Sequence, residues 1–91
     1  MGAVYKFAFE KLDVWQEVRL LTKEIYKDTR VFPNEEKFGI TNQMRRAAVS
    51  VCSNIAEGSS RTSAKDQAHF YQLSYSSLME LMNQTIIAND L

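Results

Sequence analysis

One cysteine, one histidine, one proline and three glycines are spread through 91 residues. No apolar run approaches the roughly 20 residues that a membrane-spanning helix needs. Each scarcity removes a class of protein. A lone Cys52 cannot close an intramolecular disulfide, whereas small secreted domains usually depend on several, so a reducing, cytoplasmic setting is expected. One cysteine and one histidine, Cys52 and His69, are too few to supply the three or four ligands of a zinc site. The glycines are Gly2, Gly39 and Gly58, and none follows a strand pattern, so there is no phosphate-cradling loop. Net charge is also missing. Eleven Lys and Arg balance eleven Asp and Glu, so the chain as a whole has no general attraction for nucleic acid or an anionic membrane, and any basic site must be local. The opening residues, 1 to 9, reach Glu10 and Asp13 too soon for a signal peptide.

A hydrophobic fraction of 45% with 24% charged residues lies within the range of ordinary globular chains and predicts a packed core in a single domain over residues 1–91. A chain this short buries only about 60% of the surface that its unfolded form exposes. Association with a partner, or with further copies of itself, would therefore add stability.

Apolar spacing predicts helices throughout. Val14, Val18, Leu21 and Ile25 step by four, three and four along one stripe, which Trp15 and Tyr26 widen. Asp13 with Gln16 three residues on reads as a capping-box variant, and Pro33 disfavours helix at Phe32, so the first helix should cover about 13–30. The second should cover about 40–57 and stop at Gly58, which can take the left-handed conformation common after a helix end. Its wheel carries two apolar sectors. Ile40, Met44, Ala47, Ala48, Val51 and Ile55 form one, and Val49, Cys52 and Ala56 form the other, so this helix asks for cover on several sides. The third should cover about 63–88, with Ser63 as its cap and Tyr71, Tyr75, Leu78 and Met82 as its stripe. Short connectors favour antiparallel up-and-down packing.

Groups that could carry catalysis are sparse. His69 beside Phe70 reads as a surface histidine, Cys52 as a small buried thiol, and Glu35 with Glu36 as a solvated charge run beside Lys37. General acid–base work needs such groups buried and pushed apart in pKa. The expectation is a protein that is not an enzyme and uses no cofactor.

The polar stripe of the second helix admits two readings. Gln43, Arg46, Ser50, Asn54 and Glu57 can be structural, making polar contacts to another helix or another subunit. Alternatively Arg45, Arg46, Arg61 and Lys65 form a basic patch for the phosphate backbone of RNA or DNA. Charge is segregated accordingly: residues 40–65 carry net plus three and residues 66–91 net minus three.

Several segments together resemble a known family. Leu12-Asp13-Val14-Trp15, Phe32-Pro33 with Glu36 and Phe38-Gly39, Gln43 to Ser50, and above all Asn54-Ile55-Ala56-Glu57-Gly58 with Arg61 are similar to the proteins encoded within bacterial 23S ribosomal RNA intervening sequences. The sequence departs from that pattern at Cys52, at Ser59-Ser60 and at Tyr75-Ser76-Ser77. The resemblance implies an antiparallel four-helix bundle of which this chain supplies three helices. It also implies assembly with itself, usually as a homopentamer, and no enzymatic activity. A related protein, the accessory protein of diversity-generating retroelements, is thought to bind nucleic acid through basic surface. The resemblance thus keeps both readings of the second helix open.

Overall fold

The computed structural model describes residues 7–91; residues 1–6, most of the stretch judged too short for a signal peptide, lie outside the described residues. Three α-helices and two short 3-10 turns make up the described chain, and it contains no strand. Helix α1 is Asp13–Thr29, α2 is Ile40–Ser59 and α3 is Ala64–Asp90; the 3-10 turns are Ala8–Lys11 and Asn34–Glu36.

Helix α1 begins where the sequence suggests, but by a different device. Leu12 occupies the cap position without a side-chain bond, and Asp13 is the first helical residue. Gln16 reaches back past the cap, its Nε2 donating to the Glu10 carbonyl at 2.7 Å. The preceding turn is therefore tied to α1. The Phe7 amide donates to the Glu10 carboxylate at 2.7 Å, and Phe9 sets its ring edge-on to Trp15 at 5.0 Å. Beyond Thr29 the chain turns, with Phe32 N–H donating to the Thr29 carbonyl, and Pro33 is extended. Ser63 caps α3, its hydroxyl accepting from the Asp66 amide at 3.1 Å.

Helix α2 lies between the other two and is antiparallel to both. Thr22 of α1 faces Ala48 and Cys52, and Thr29 faces Arg45. On the other side Ser50 faces Ser77, Val51 faces Ser74, and Gly58 faces Phe70 and Tyr71. The backbones of α1 and α3 do not approach each other closely. They meet through side chains at one end, where Ile25, Met44, Ala47, Ala48 and Leu81 form the buried core, flanked by Leu21, Phe32, Ile40 and Ala88.

Two expectations need correction here. Gly58 does not take a left-handed conformation; no glycine among the described residues has positive φ, and α2 runs through it to Ser59. Its role is steric. A Cβ at Gly58 would stand 2.7 Å from the Tyr71 ring and 3.0 Å from the Phe70 Cβ, so the missing side chain is what lets α3 come this close.

The second correction concerns which face of α3 packs on α2. Its buried residues are Ser74, Leu81 and Gln84, with Phe70, Ser77 and Ala88 half-buried, a face that steps alternately by four and three. The expected stripe lies elsewhere: Tyr71, Tyr75 and Met82 are exposed and only Leu78 is half-buried. Small polar residues win the interface because they allow close approach and find partners across it. The Ser74 hydroxyl donates to the Val51 carbonyl at 2.8 Å, and the Ser50 and Ser77 hydroxyls bond each other at 2.8 Å, so burying them leaves no unmade bond.

Candidate interaction surface

A groove of about 450 Å³ crosses α2 in the half of the molecule away from the core. Its floor is Val51, Ile55 and Ser74, all buried. One wall is Leu12, Val14 and Val18 from the start of α1, and the other is Tyr71, Tyr75 and Leu78 from α3. The floor has no free polar donor, because the one hydroxyl in it, that of Ser74, is spent on the Val51 carbonyl. The groove exists because α1 and α3 touch only at the core end. Residues of the expected α1 stripe divide accordingly, with Leu21 and Ile25 against the core and Val14 and Val18 lining the groove.

Continuing around α3 from this wall, Tyr75, Met79, Met82 and Ile86 repeat at four, three and four and are all exposed, Ile86 at 62%. At 100° per residue this stripe lies roughly 150° from the face that packs on α2. Helix α3 thus carries, nearly opposite the mixed polar and apolar face that packs on α2, an apolar stripe that no other described element covers. The sequence reading assigned the excess apolar surface to α2 instead. There Val49 is exposed, but Cys52 is half-buried with its Sγ 3.4 Å from the Thr22 hydroxyl, and Ala56 shares a shallow cleft with Phe7, Ala8 and Phe9 of the N-terminal turn. That aromatic turn has no periodic signal, so helical spacing alone misses it.

The polar stripe of α2 faces α3. Ser50 bonds Ser77 there, and the Asn54 amide donates to the Ser50 carbonyl and hydroxyl at 2.9 and 3.2 Å. Gln43, Arg46 and Ser50 line an open polar cleft with Asn42, Ser77 and Glu80, while Glu57 pairs with Arg61 at 2.6 Å. The middle of the stripe is thus a seam between two helices, and its Gln43–Arg46 end stays accessible.

The four cations of the expected basic patch do not form one cluster. Arg45 and Arg46 lie near the start of α2 and Arg61 and Lys65 beyond its end, which at 1.5 Å per residue separates the pairs by about 20 Å or more. Arg45 is held against α1: its Nε donates to the Thr29 hydroxyl at 2.9 Å, a terminal nitrogen donates to the Tyr26 carbonyl at 3.2 Å, and the guanidinium stacks 4.7 Å from the Tyr26 ring centre. Arg61 is divided between Glu57 and the Phe70 ring, 4.7 Å away. Arg46 and Lys65 are exposed and have no ion-pair partner among the described residues.

His69 is exposed with its ring edge-on to Phe70 at 5.4 Å. Among the described residues no three of His, Cys, Asp and Glu stand close enough to hold a metal ion. No described helix is long and apolar enough to cross a membrane.

An all-α chain of three antiparallel helices, with an apolar groove along the middle one and a polar seam beside it, defines a helical-bundle protein whose notable features are surfaces. The family model for the 23S rRNA-intervening sequence protein matches residues 10–91, and the chain belongs to that family. No curated protein matches it.

Proposed function

We propose that this chain is a non-enzymatic, self-associating helical-bundle protein. The observation that carries the reading is the apolar groove between α1 and α3, continuous at Tyr75 with the exposed stripe of α3. In an up-and-down four-helix bundle the fourth helix lies diagonally across from the second, between the first and third, which is where this groove runs. A fourth helix in the groove and a neighbouring copy on the α3 stripe would together cover the apolar surface of α3 that α2 leaves exposed. The family resemblance favours a homopentameric ring as the assembly. The unpaired Cys52 supports a cytoplasmic setting. The reading of the protein as non-enzymatic is supported by an exposed His69 and a Cys52 whose Sγ lies 3.4 Å from the Thr22 hydroxyl.

The protein should sediment as an oligomer at micromolar concentration. Met82→Lys with Ile86→Lys should release monomers that keep their helical circular dichroism, because both side chains lie outside the core. A stable folded monomer of the unaltered protein at that concentration would sink the proposal.

Binding of RNA or DNA is the second reading, favoured by Arg46 and Lys65, the two of the four expected cations that are exposed and hold neither an ion pair nor an aromatic ring among the described residues. Repetition around a ring would turn a few cations per subunit into an extended surface. Affinity should then fall steeply with salt and fall further in an Arg46→Ala, Lys65→Ala variant. Binding insensitive to both is inconsistent with this reading. Arg45 and Arg61 are poorer choices for the test, since removing either also breaks intramolecular contacts.

A further inference from the structure

Where α1 ends and α2 begins, a cleft of about 220 Å³ is lined by Arg30, Lys37, Arg45, Asn34 and Thr41 around Phe32 and Pro33. No lining residue is acidic. The acidic pair of the same connector, Glu35 and Glu36, lines a different cleft with Ile40 and Ala88, so the short segment between α1 and α2 sorts its charges to two sides. None of the three cations has a carboxylate at ion-pairing distance among the described residues, where the one ion pair is Arg61–Glu57. We infer that this cleft is a binding site for a phosphate group.

The argument rests on charge, donors and preorganisation. The negative end of α1 and the positive end of α2 both reach the cleft, each equivalent to roughly half a unit charge, so their dipoles nearly cancel and the three side-chain charges set the sign. Arg45 is already fixed. The Thr29 hydroxyl that accepts from its Nε is itself anchored, donating to the Ile25 carbonyl at 2.7 Å, and the Tyr26 ring supports the guanidinium from one side. Two of its five N–H donors are engaged in these bonds, and the other three have no partner among the described residues. A planar cation held in place with donors to spare loses little side-chain freedom on meeting an oxyanion.

Thr41 supplies an independent sign that a group is wanted here. It is 5% exposed, and its hydroxyl is one of two buried side-chain polar atoms with no hydrogen-bond partner among the described residues, the other being Gln84 Oε1, which lines no basic cleft. A hydroxyl can donate to a phosphate oxygen. Arg30 and Lys37 are exposed and can close over an anion seated against Arg45 and Thr41. At about 30 Å³ per water the cleft has room for a phosphate with part of its hydration shell.

The inference stands apart from self-association and from the Arg46–Lys65 reading, because it uses different residues and a site within one subunit. Phosphate chemistry could reach the site as the free ion or as a nucleic-acid phosphodiester, and two arms separate them. In the first, inorganic phosphate is titrated into the protein at constant ionic strength with chloride as control, and amide NMR shifts are followed. Saturable shifts centred on Lys37, Thr41 and Arg45 are expected, weakened at least tenfold in an Arg30→Ala, Lys37→Ala variant whose dichroism is unchanged. In the second, a short single-stranded RNA is added. Phosphate-competitive RNA binding that is lost in the same variant assigns the site to a phosphodiester; phosphate binding without it assigns the site to the free ion. Shifts no larger than those from chloride, or phosphate binding undiminished in the double variant, overturn the proposal.

Discussion

Leu81→Ala should leave much of the protein unfolded at physiological temperature. Leu81 is 1% exposed and is the residue through which α3 joins Ile25 of α1 and Met44, Ala47 and Ala48 of α2 in one cluster. Truncating a buried leucine removes its transfer free energy and leaves a cavity, together about 2–5 kcal/mol. A small domain has only about 5–15 kcal/mol in total, so the loss is a large share of it. Two of the four other residues of the cluster, Ala47 and Ala48, are too short to reach into the space, which puts the expected cost in the upper half of that range. Urea unfolding gives the measurement, with the midpoint falling and the slope unchanged. Leu73, at 40% exposure and outside both the groove and the exposed α3 stripe, is the control: its replacement by alanine should shift the midpoint little. Equal effects at the two positions would contradict the packing face assigned to α3.

Gly58→Val should be the other severe change, for reasons of space alone. Backbone conformation gives no objection, since Gly58 is helical with negative φ. A bare Cβ would already meet the Tyr71 ring at 2.7 Å and the Phe70 Cβ at 3.0 Å, and valine adds two methyl groups to that collision. Overpacking of this kind costs about 1–3 kcal/mol and forces the α2 and α3 backbones apart. Gly58→Ala should be milder, because alanine recovers up to about 1 kcal/mol of helix propensity against a smaller clash. A cycle with Tyr71→Ala separates the contributions: removing the ring should restore part of the stability lost in Gly58→Ala, whereas purely additive effects would exclude the Tyr71 contact as a cause.

Much of the helical layout was legible because it depends on local chemistry. Ser63 caps a helix because its hydroxyl meets the Asp66 amide three residues away, and Pro33 bars continuation of α1 by its own ring. The choice of face on α3 was not legible, since a helical wheel gives weight to large apolar residues while two helices in close contact select for small ones. Tyr71, Tyr75 and Met82 each offer far more apolar surface than Ser74 or Ser77. What lets the serines be buried is the Val51 carbonyl and the Ser50 hydroxyl, acceptors on a different helix.

The surfaces follow the same division. Glycine at 58 was read as a terminator because spacing suggests it, and only the position of Tyr71 reveals the close approach. The basic residues were grouped by sequence as Arg45, Arg46, Arg61 and Lys65, yet the length of α2 separates the two pairs. Arg30 and Lys37 come to Arg45 through the turn at Pro33, which returns the chain to the end of α1. A cue was available in the two cations flanking a proline connector, but only the tertiary turn joins them to a third.

The uneven attachment of α1 also sets an order of local opening. Its two buried residues, Ile25 and Thr29, both lie in its second half, whereas α2 and α3 stay in contact from Gly58 to the core. Partial unfolding therefore costs least where the first turns of α1 and the aromatic segment before them lift from an intact α2–α3 hairpin. Because Val14 and Val18 belong to that half, such an opening would widen the groove. Any helix gripped in it suppresses the opening, so amide protection along the start of α1 reports occupancy of the groove from a distance.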